Sequence, residues 1–91
     1  MASGRHYVYM LACSDGTYYM GYSTEVARRV REHNTSPKAA KYTRGRRPVK
    51  LVYYVACESR SDALKLERTL RKKSRVEKEK LIKGFEGNLD I

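Results

Sequence analysis

The sequence predicts an α+β fold: a small three-stranded antiparallel sheet flanked by helices, in the order β-β-α-β-α-α. Three observations predict it. Two runs rich in β-branched and aromatic residues, HYVYMLAC (6–13) and TYYMGY (17–22), flank an Asp-Gly pair, a strong hairpin signal. A third such run, VKLVYYVAC (49–57), follows a basic loop. Between and after these runs the apolar residues take helical spacing.

The first helix is expected from Ser23 or Thr24. STEVARRVREHN offers a hydroxyl cap and an acid in the first turn. Val26 and Val30 form a narrow apolar stripe, and the helix should stop near Asn34 to Ser36, before Pro37. Residues 35–50 read as a basic loop, with six Lys or Arg in the thirteen positions from Lys38 to Lys50. The third strand is nearly continuous in apolar and aromatic character, which predicts a central strand or one buried on both faces. Ser59 and Asp62 resemble a capping box for a helix over about 60–73. A shorter helix over about 75–83 should end at Gly84.

Ninety-one residues make one domain, with its core over about 6–83. A chain this short buries about 60–65% of its unfolded surface, enough for a modest core and a shallow cleft. Twenty Lys and Arg against ten Asp and Glu give a net charge of +10. That field favours polyanions, nucleic acid first and an anionic membrane second, beside the plain reading of a solvated basic surface. No apolar run approaches the roughly 20 residues of a spanning helix. YVYMLAC is too short and wrongly flanked for a signal peptide. Cys13 and Cys57 have no CxxC neighbour, so they read as strand thiols in a reducing compartment, not zinc ligands. P-loop, GxGxxG, HExxH and GxSxG motifs are absent.

Three places break the local pattern, and such places point to sites. Ala63, Leu66, Glu67 and Leu70 follow a core-facing stripe, so Glu67 stands where an apolar residue belongs. It needs a cation: a metal, or simply Arg71 one turn on. Arg29 and His33, also one turn apart, flank the Val26–Val30 stripe. They either point into a cleft at the sheet or share a solvated helix face with Arg28 and Arg31. The eight tyrosines, against one Phe and no Trp, are the third anomaly. Tyr7 and Tyr9 share one face of their strand, while Tyr18 and Tyr19 point to opposite faces. A phenol packs like Phe yet can hydrogen-bond, stack on a base or move a proton. Tyr53 and Tyr54 read as ordinary sheet aromatics.

YVYMLACSDGTYYMG, RVREHN, AKYT and RRPVKLVY occur in that order. Together they resemble the GIY-YIG nuclease domain, closest to its small standalone bacterial and viral members, over roughly Tyr7 to Ile82. Tyr7 stands where the family name has Gly, and Met20 where it has Ile. The resemblance implies a divalent-metal-dependent endonuclease that hydrolyses DNA phosphodiester bonds, directed by DNA structure or weakly by sequence. It implies Tyr9 and Tyr19 as the motif tyrosines, Arg29 as a phosphate clamp, and His33 as a proton-handling partner. It implies Glu67 as ligand of a single Mg²⁺ or Mn²⁺. Tyr9 is the favoured base, with Tyr19 and His33 orienting water or sharing the proton. Gly21 would allow close backbone approach of helix or substrate. Many relatives carry an asparagine after the glutamate; Asn88 is the only later candidate, and no role is assigned to it. Lys41, Tyr42, Arg44, Arg46 and Arg47 would line the approach of the DNA backbone. Specificity would come from DNA shape, a homodimer or an accessory protein. The setting would be intracellular: cytoplasm and nucleoid, or the host interior for a viral member. The alternatives are a non-cleaving nucleic-acid-binding module of the same fold, and an RNA binder that stacks bases on tyrosine.

Overall fold

In the computed structural model, which describes residues 5–85, the first strand is the middle of the sheet. Strand β1 (His6–Ala12) pairs antiparallel with β2 (Tyr18–Ser23) on one side and β3 (Lys50–Cys57) on the other. The three-stranded α+β architecture is as expected, but β3 is an edge strand, not the central one. A continuous apolar run predicts cover on both faces; it does not report that both edges are paired. Nor is β3 buried on both faces: Leu51 is its one buried residue and its other apolar side chains are mostly half-buried against the two core layers, while β1 takes the middle.

The turn between β1 and β2 closes on Cys13 and Thr17. The Cys13 N–H donates to the Thr17 carbonyl at 2.8 Å, and the Gly16 N–H to the Cys13 carbonyl at 3.0 Å. Gly16 has φ +85°, the left-handed conformation that favours glycine in such a loop. Asp15 accepts from both the Thr17 N–H and its hydroxyl, at 3.1 and 2.6 Å. These bonds hold its carboxyl below the usual range, with the Thr17 hydroxyl first among the causes.

Helix α1 spans Val26–Thr35, starting two or three residues later than expected. Ser23 still shapes its start: its hydroxyl accepts the Glu25 N–H at 2.8 Å. Glu25 is the residue before the helix, so the acid lies outside the first turn. The basic loop is not wholly irregular, because Lys41–Arg44 form one helical turn, α2. Helix α3 (Arg60–Arg71) is capped by Ser59, whose hydroxyl accepts the Asp62 N–H at 3.0 Å, and it ends two residues before the expected 73. Helix α4 (Arg75–Gly84) has a reciprocal capping box between Ser74 and Glu77 that the sequence reading did not name.

Side-chain alternation along β1 splits the core into two layers. Tyr9 and Leu11 pack with Val26 of α1, and with Cys13, Val49 and Leu51. Val8 and Met10 pack with Met20 on the opposite face, against Ala63 and Leu70 of α3. The β1–β3 register breaks between Met10 and Leu11, which leaves Val52 without a β1 partner. Adjacent Val52 and Tyr53 therefore both reach the α3 layer. Both cysteines are free thiols.

Two contacts fasten α1 to the sheet. The Asn34 amide exchanges both hydrogen bonds with the Val49 backbone, at 2.7 and 3.0 Å. The Arg47 guanidinium donates to the carbonyls of His33 and Ser36, satisfying acceptors that the helix end leaves open.

Candidate active site

Tyr9 lies in the middle of β1, opposite Gly21 of β2, and its ring crosses that neighbour. A Cβ on Gly21 would lie 2.5 Å from the Tyr9 Cζ and hydroxyl. The glycine is thus required by the tyrosine ring, and the expected close approach of helix or substrate at Gly21 is replaced by that of a cross-strand side chain. The ring lies across the sheet and its oxygen reaches α1. There the Tyr9 hydroxyl is 2.8 Å from His33 Nε2.

His33 is fully buried at the end of α1. Its Nδ1 lies 2.8 Å from the Thr43 hydroxyl, which in turn donates to the Ala40 carbonyl at 3.0 Å. Thr43 is itself fully buried, brought in by the single turn of α2. A chain Tyr9–His33–Thr43–Ala40 therefore crosses the α1 layer with each polar atom partnered. Among the described residues, no buried side-chain polar atom lacks a partner. Thr43 was not among the residues expected at the site. A clue was a threonine inside the charged run KAAKYTRGRR, where a small residue of mixed character suits an inward-facing position.

Tyr19 sits on the same face of the sheet. Its ring meets that of His33 at 5.2 Å, edge to face, and stacks on Tyr42 at 5.8 Å. Arg29 lies one turn before His33, its side chain 26% exposed, and pairs with Glu32 at 2.9 Å. It also donates to the Lys38 carbonyl, and hydrogen bonding and charge tie it to the Tyr9 phenol. Tyr9, Tyr19, Arg29 and His33 are thus brought together.

Glu67 reaches the group from α3. Its side chain is only 14% exposed and accepts from Arg71, so the i, i+4 pairing weighed from the sequence is present. Burial is the main cause that raises the Tyr9 and Tyr19 pKa values, and the Glu67 charge adds a smaller push in the same direction. Among the described residues, no three His, Cys, Asp or Glu side chains converge. One hard-oxygen donor beside the tyrosines suits a Mg²⁺ that keeps most of its shell as water and substrate oxygens. Asn88 lies outside the described residues.

The electrostatics favour neutral groups before substrate arrives. Burial, then the neighbouring Tyr19, pushes the Tyr9 phenol far above its ordinary range, and Arg29 opposes this. Burial first, then the Arg29 charge, lowers the His33 pKa to about 4. Burial raises Tyr19 as well. A protonated phenol beside a neutral imidazole is the resting state between these limits.

The five basic-loop residues divide. Lys41 and Arg44 are exposed, and Tyr42 presents an edge to solvent. Arg46 lies over the Tyr42 ring at 3.9 Å and pairs with Asp15 at 2.9 Å. The Arg47 fork is occupied by the α1 carbonyls. A cleft of about 190 Å³ opens beside Tyr18, Tyr19, Tyr42, Arg71 and Lys78.

Comparison with known proteins gives one answer. Residues 5–80 match the family model described as the GIY-YIG catalytic domain. A UPF0213 protein of Desulfotalea psychrophila is 49% identical over 80 residues, 88% of this chain and 73% of that one. A UPF0213 protein of Halobacterium salinarum is 51% identical over 76 residues, 84% of this chain and 97% of that one. The solution NMR structure of a protein from E. faecalis aligns with TM-score 0.59 at 47% identity, covering 87% of this chain and 83% of that one. The solution NMR structure of a UPF0213 protein from Bacillus halodurans aligns with TM-score 0.55 at the same identity and coverages. No helix of the described residues is long and apolar enough to cross a membrane.

Proposed function

Because the chain belongs to the GIY-YIG catalytic-domain family, we propose that it is a metal-dependent endonuclease that hydrolyses DNA phosphodiester bonds. The buried 2.8 Å contact between Tyr9 and His33, with Arg29 beside it, carries this reading. Packing alone would be served by Phe at position 9. A phenol aimed at an imidazole supplies a proton donor and its acceptor.

The chemistry follows from those groups. The Tyr9 proton moves to His33 Nε2 as the phenolate oxygen takes a proton from the attacking water. The water oxygen forms a bond to phosphorus, the bond to the leaving oxygen breaks, and solvent protonates the leaving alkoxide. Arg29 is placed to hold a non-bridging oxygen and stabilise the charge that develops there. GIY-YIG nucleases generally use a divalent metal. Here Glu67 would hold it, and the bound ion would add positive charge at the phosphate and favour the phenolate. Lys41, Arg44 and the exposed edge of Tyr42 are the proposed backbone contacts. Arg46 joins them through Tyr42, and Arg47 serves by shaping the loop. With a recognition surface this small, specificity would rest on DNA shape, a second copy of the chain or a partner protein.

One observation favours a module that binds without cutting: the Glu67 carboxylate is engaged by Arg71. Supercoiled plasmid and branched DNA, incubated with Mg²⁺ or Mn²⁺, separate the two readings. Cleavage by the native protein and its loss in Glu67→Ala are expected. Cleavage unchanged in that variant would remove the metal assignment, and binding without cleavage under either metal would establish the module. Affinity should fall steeply with salt.

A further inference from the structure

Thr43 is the residue at the inner end of the buried chain, and the direction of every hydrogen bond in that chain follows from what each atom can do. The Ala40 carbonyl can only accept. The Thr43 hydroxyl lies 3.0 Å from it and donates its single proton there. The Thr43 oxygen then faces His33 Nδ1 as an acceptor at 2.8 Å, so Nδ1 carries the ring proton. His33 Nε2 is left bare, and at 2.8 Å it accepts from the Tyr9 hydroxyl. Arg29, which has donors only, acts on the same phenol oxygen. It cannot receive the Tyr9 proton, so that proton has one destination.

The opposite tautomer fails at the Tyr9 end. With its proton on Nε2, His33 would donate to the phenol oxygen, and the Tyr9 proton would have no acceptor. At the other end the Ala40 carbonyl also accepts the N–H groups of Thr43 and Arg44, at 3.0 and 3.1 Å, so it is the Tyr9 end that selects the tautomer and the Thr43 oxygen that receives the Nδ1 proton. Without substrate, His33, Thr43 and Tyr9 are 0, 0 and 1% exposed, so bulk water does not supply the missing partner; the attacking water would meet the Tyr9 oxygen only once DNA is bound.

We propose that Thr43 is a positioning residue for catalysis: it fixes His33 as the Nδ1–H tautomer, so that Nε2 is the acceptor of the Tyr9 proton. This rests on the nuclease reading for its consequence, although the tautomer itself does not. Thr43 touches no reacting atom and acts through His33. The transfer balances on these residues alone. The proton leaves Tyr9 oxygen for Nε2, giving phenolate and imidazolium, and both imidazolium N–H groups keep an acceptor: Thr43 at Nδ1 and the phenolate at Nε2. The carbonyl at the far end cannot pass a proton onward. The Tyr9 proton therefore stays on His33 until the phenol has released to solvent the proton it took from the water; Tyr9 then takes its own proton back, and the pair is reset for another turnover. One turn of helix in the basic loop thus supports the site on two sides, with Thr43 under His33 and Tyr42 on Tyr19.

The test reads the ring directly. Uniformly ¹⁵N-labelled protein carrying His6→Gln, which removes the only other imidazole, gives the long-range ¹⁵N–¹H spectrum of His33 at pH 7. A protonated Nδ1 and bare Nε2 are expected. Thr43→Val keeps the shape, removes the acceptor, and should shift the ring toward the Nε2–H form or a mixture. DNA cleavage should fall about 10- to 100-fold, the usual loss when a second-layer partner of an essential imidazole is removed. Thr43→Ser should restore both signature and rate. His33 protonated on Nε2 in the protein with Thr43 intact overturns the proposal without any Thr43 variant, and so without dependence on the valine protein folding. A Thr43→Val protein that keeps the Nδ1–H signature overturns it too, even if its cleavage falls. A native protein that cuts no DNA under Mg²⁺ or Mn²⁺ defeats the nuclease reading instead, and the ring spectrum still decides what Thr43 does.

Discussion

The two faces of one strand are built to different ends. Val8 and Met10 of β1 meet α3 in a layer whose buried members, with Met20, Ala63 and Leu70, carry no ionisable or hydroxyl group. Tyr9, between them in sequence, enters the opposite layer and ends on a buried histidine and threonine. The first layer gains stability by removing apolar surface from water, which depends little on direction. The second buries polar atoms, which is tolerable only when each has a partner in the right geometry. A strand alternates faces at every residue, so a tripeptide such as Val8-Tyr9-Met10 can serve both purposes at once.

Substitutions on the two faces should separate most sharply. Tyr9→Phe should lower DNA cleavage about 10²- to 10⁴-fold, the usual contribution of a positioned acid or base. Its cost in folding stability should be smaller, about 1–3 kcal/mol for a His33 nitrogen left unpaired. Met10→Ala should cost about 2–5 kcal/mol by urea unfolding, with the rate per folded molecule preserved. Cleavage lost equally in both variants would collapse the distinction between the faces.

Acid should then sort the layers. The His33 pKa falls from 6.5 to about 4 on folding. The unfolded chain therefore binds this proton first. The contribution is fully present above about pH 6.5 and is lost as pH falls toward 4, up to about 3 kcal/mol. Unfolding midpoints at pH 7.5 and 4.5 measure it. His33→Gln should flatten the difference, while Met10→Ala should shift the whole curve without changing its slope.

The smallest effects belong to the basic loop. Lys41→Ala should lower DNA affinity and reduce the salt slope by about one, leaving stability within about 0.5 kcal/mol. Arg47→Ala should act in reverse order, chiefly on stability, because its guanidinium serves the α1 carbonyls. Equal effects of the two on the salt slope would return Arg47 to the DNA-contacting set.

Much of this was legible in the residues. Alternation put Tyr7 and Tyr9 on one face and separated Tyr18 from Tyr19, the Asp-Gly pair marked the turn, and helical spacing made Glu67 conspicuous. The identity of the central strand was not legible. HYVYMLAC and VKLVYYVAC carry the same kind of apolar run, and hydropathy does not encode which edges are paired. The role of Gly21 was misjudged for a related reason. The close neighbour is a cross-strand side chain, and register brings it there.

The sequence by itself determined the family, the order of elements up to one short turn, and the residue types able to do the chemistry. Local spacing and motif order carry that information. Only the tertiary structure decided that Thr43 stands beneath His33, that Arg47 is spent on a helix end, and that Glu67 faces both Arg71 and the tyrosines. The Thr43, Arg47 and Arg71 contacts are of hydrogen-bond length, and except for the Glu67–Arg71 pair they join residues ten or more positions apart. Whether two such groups meet depends on the whole packed geometry, where a displacement of one ångström is enough to break the bond.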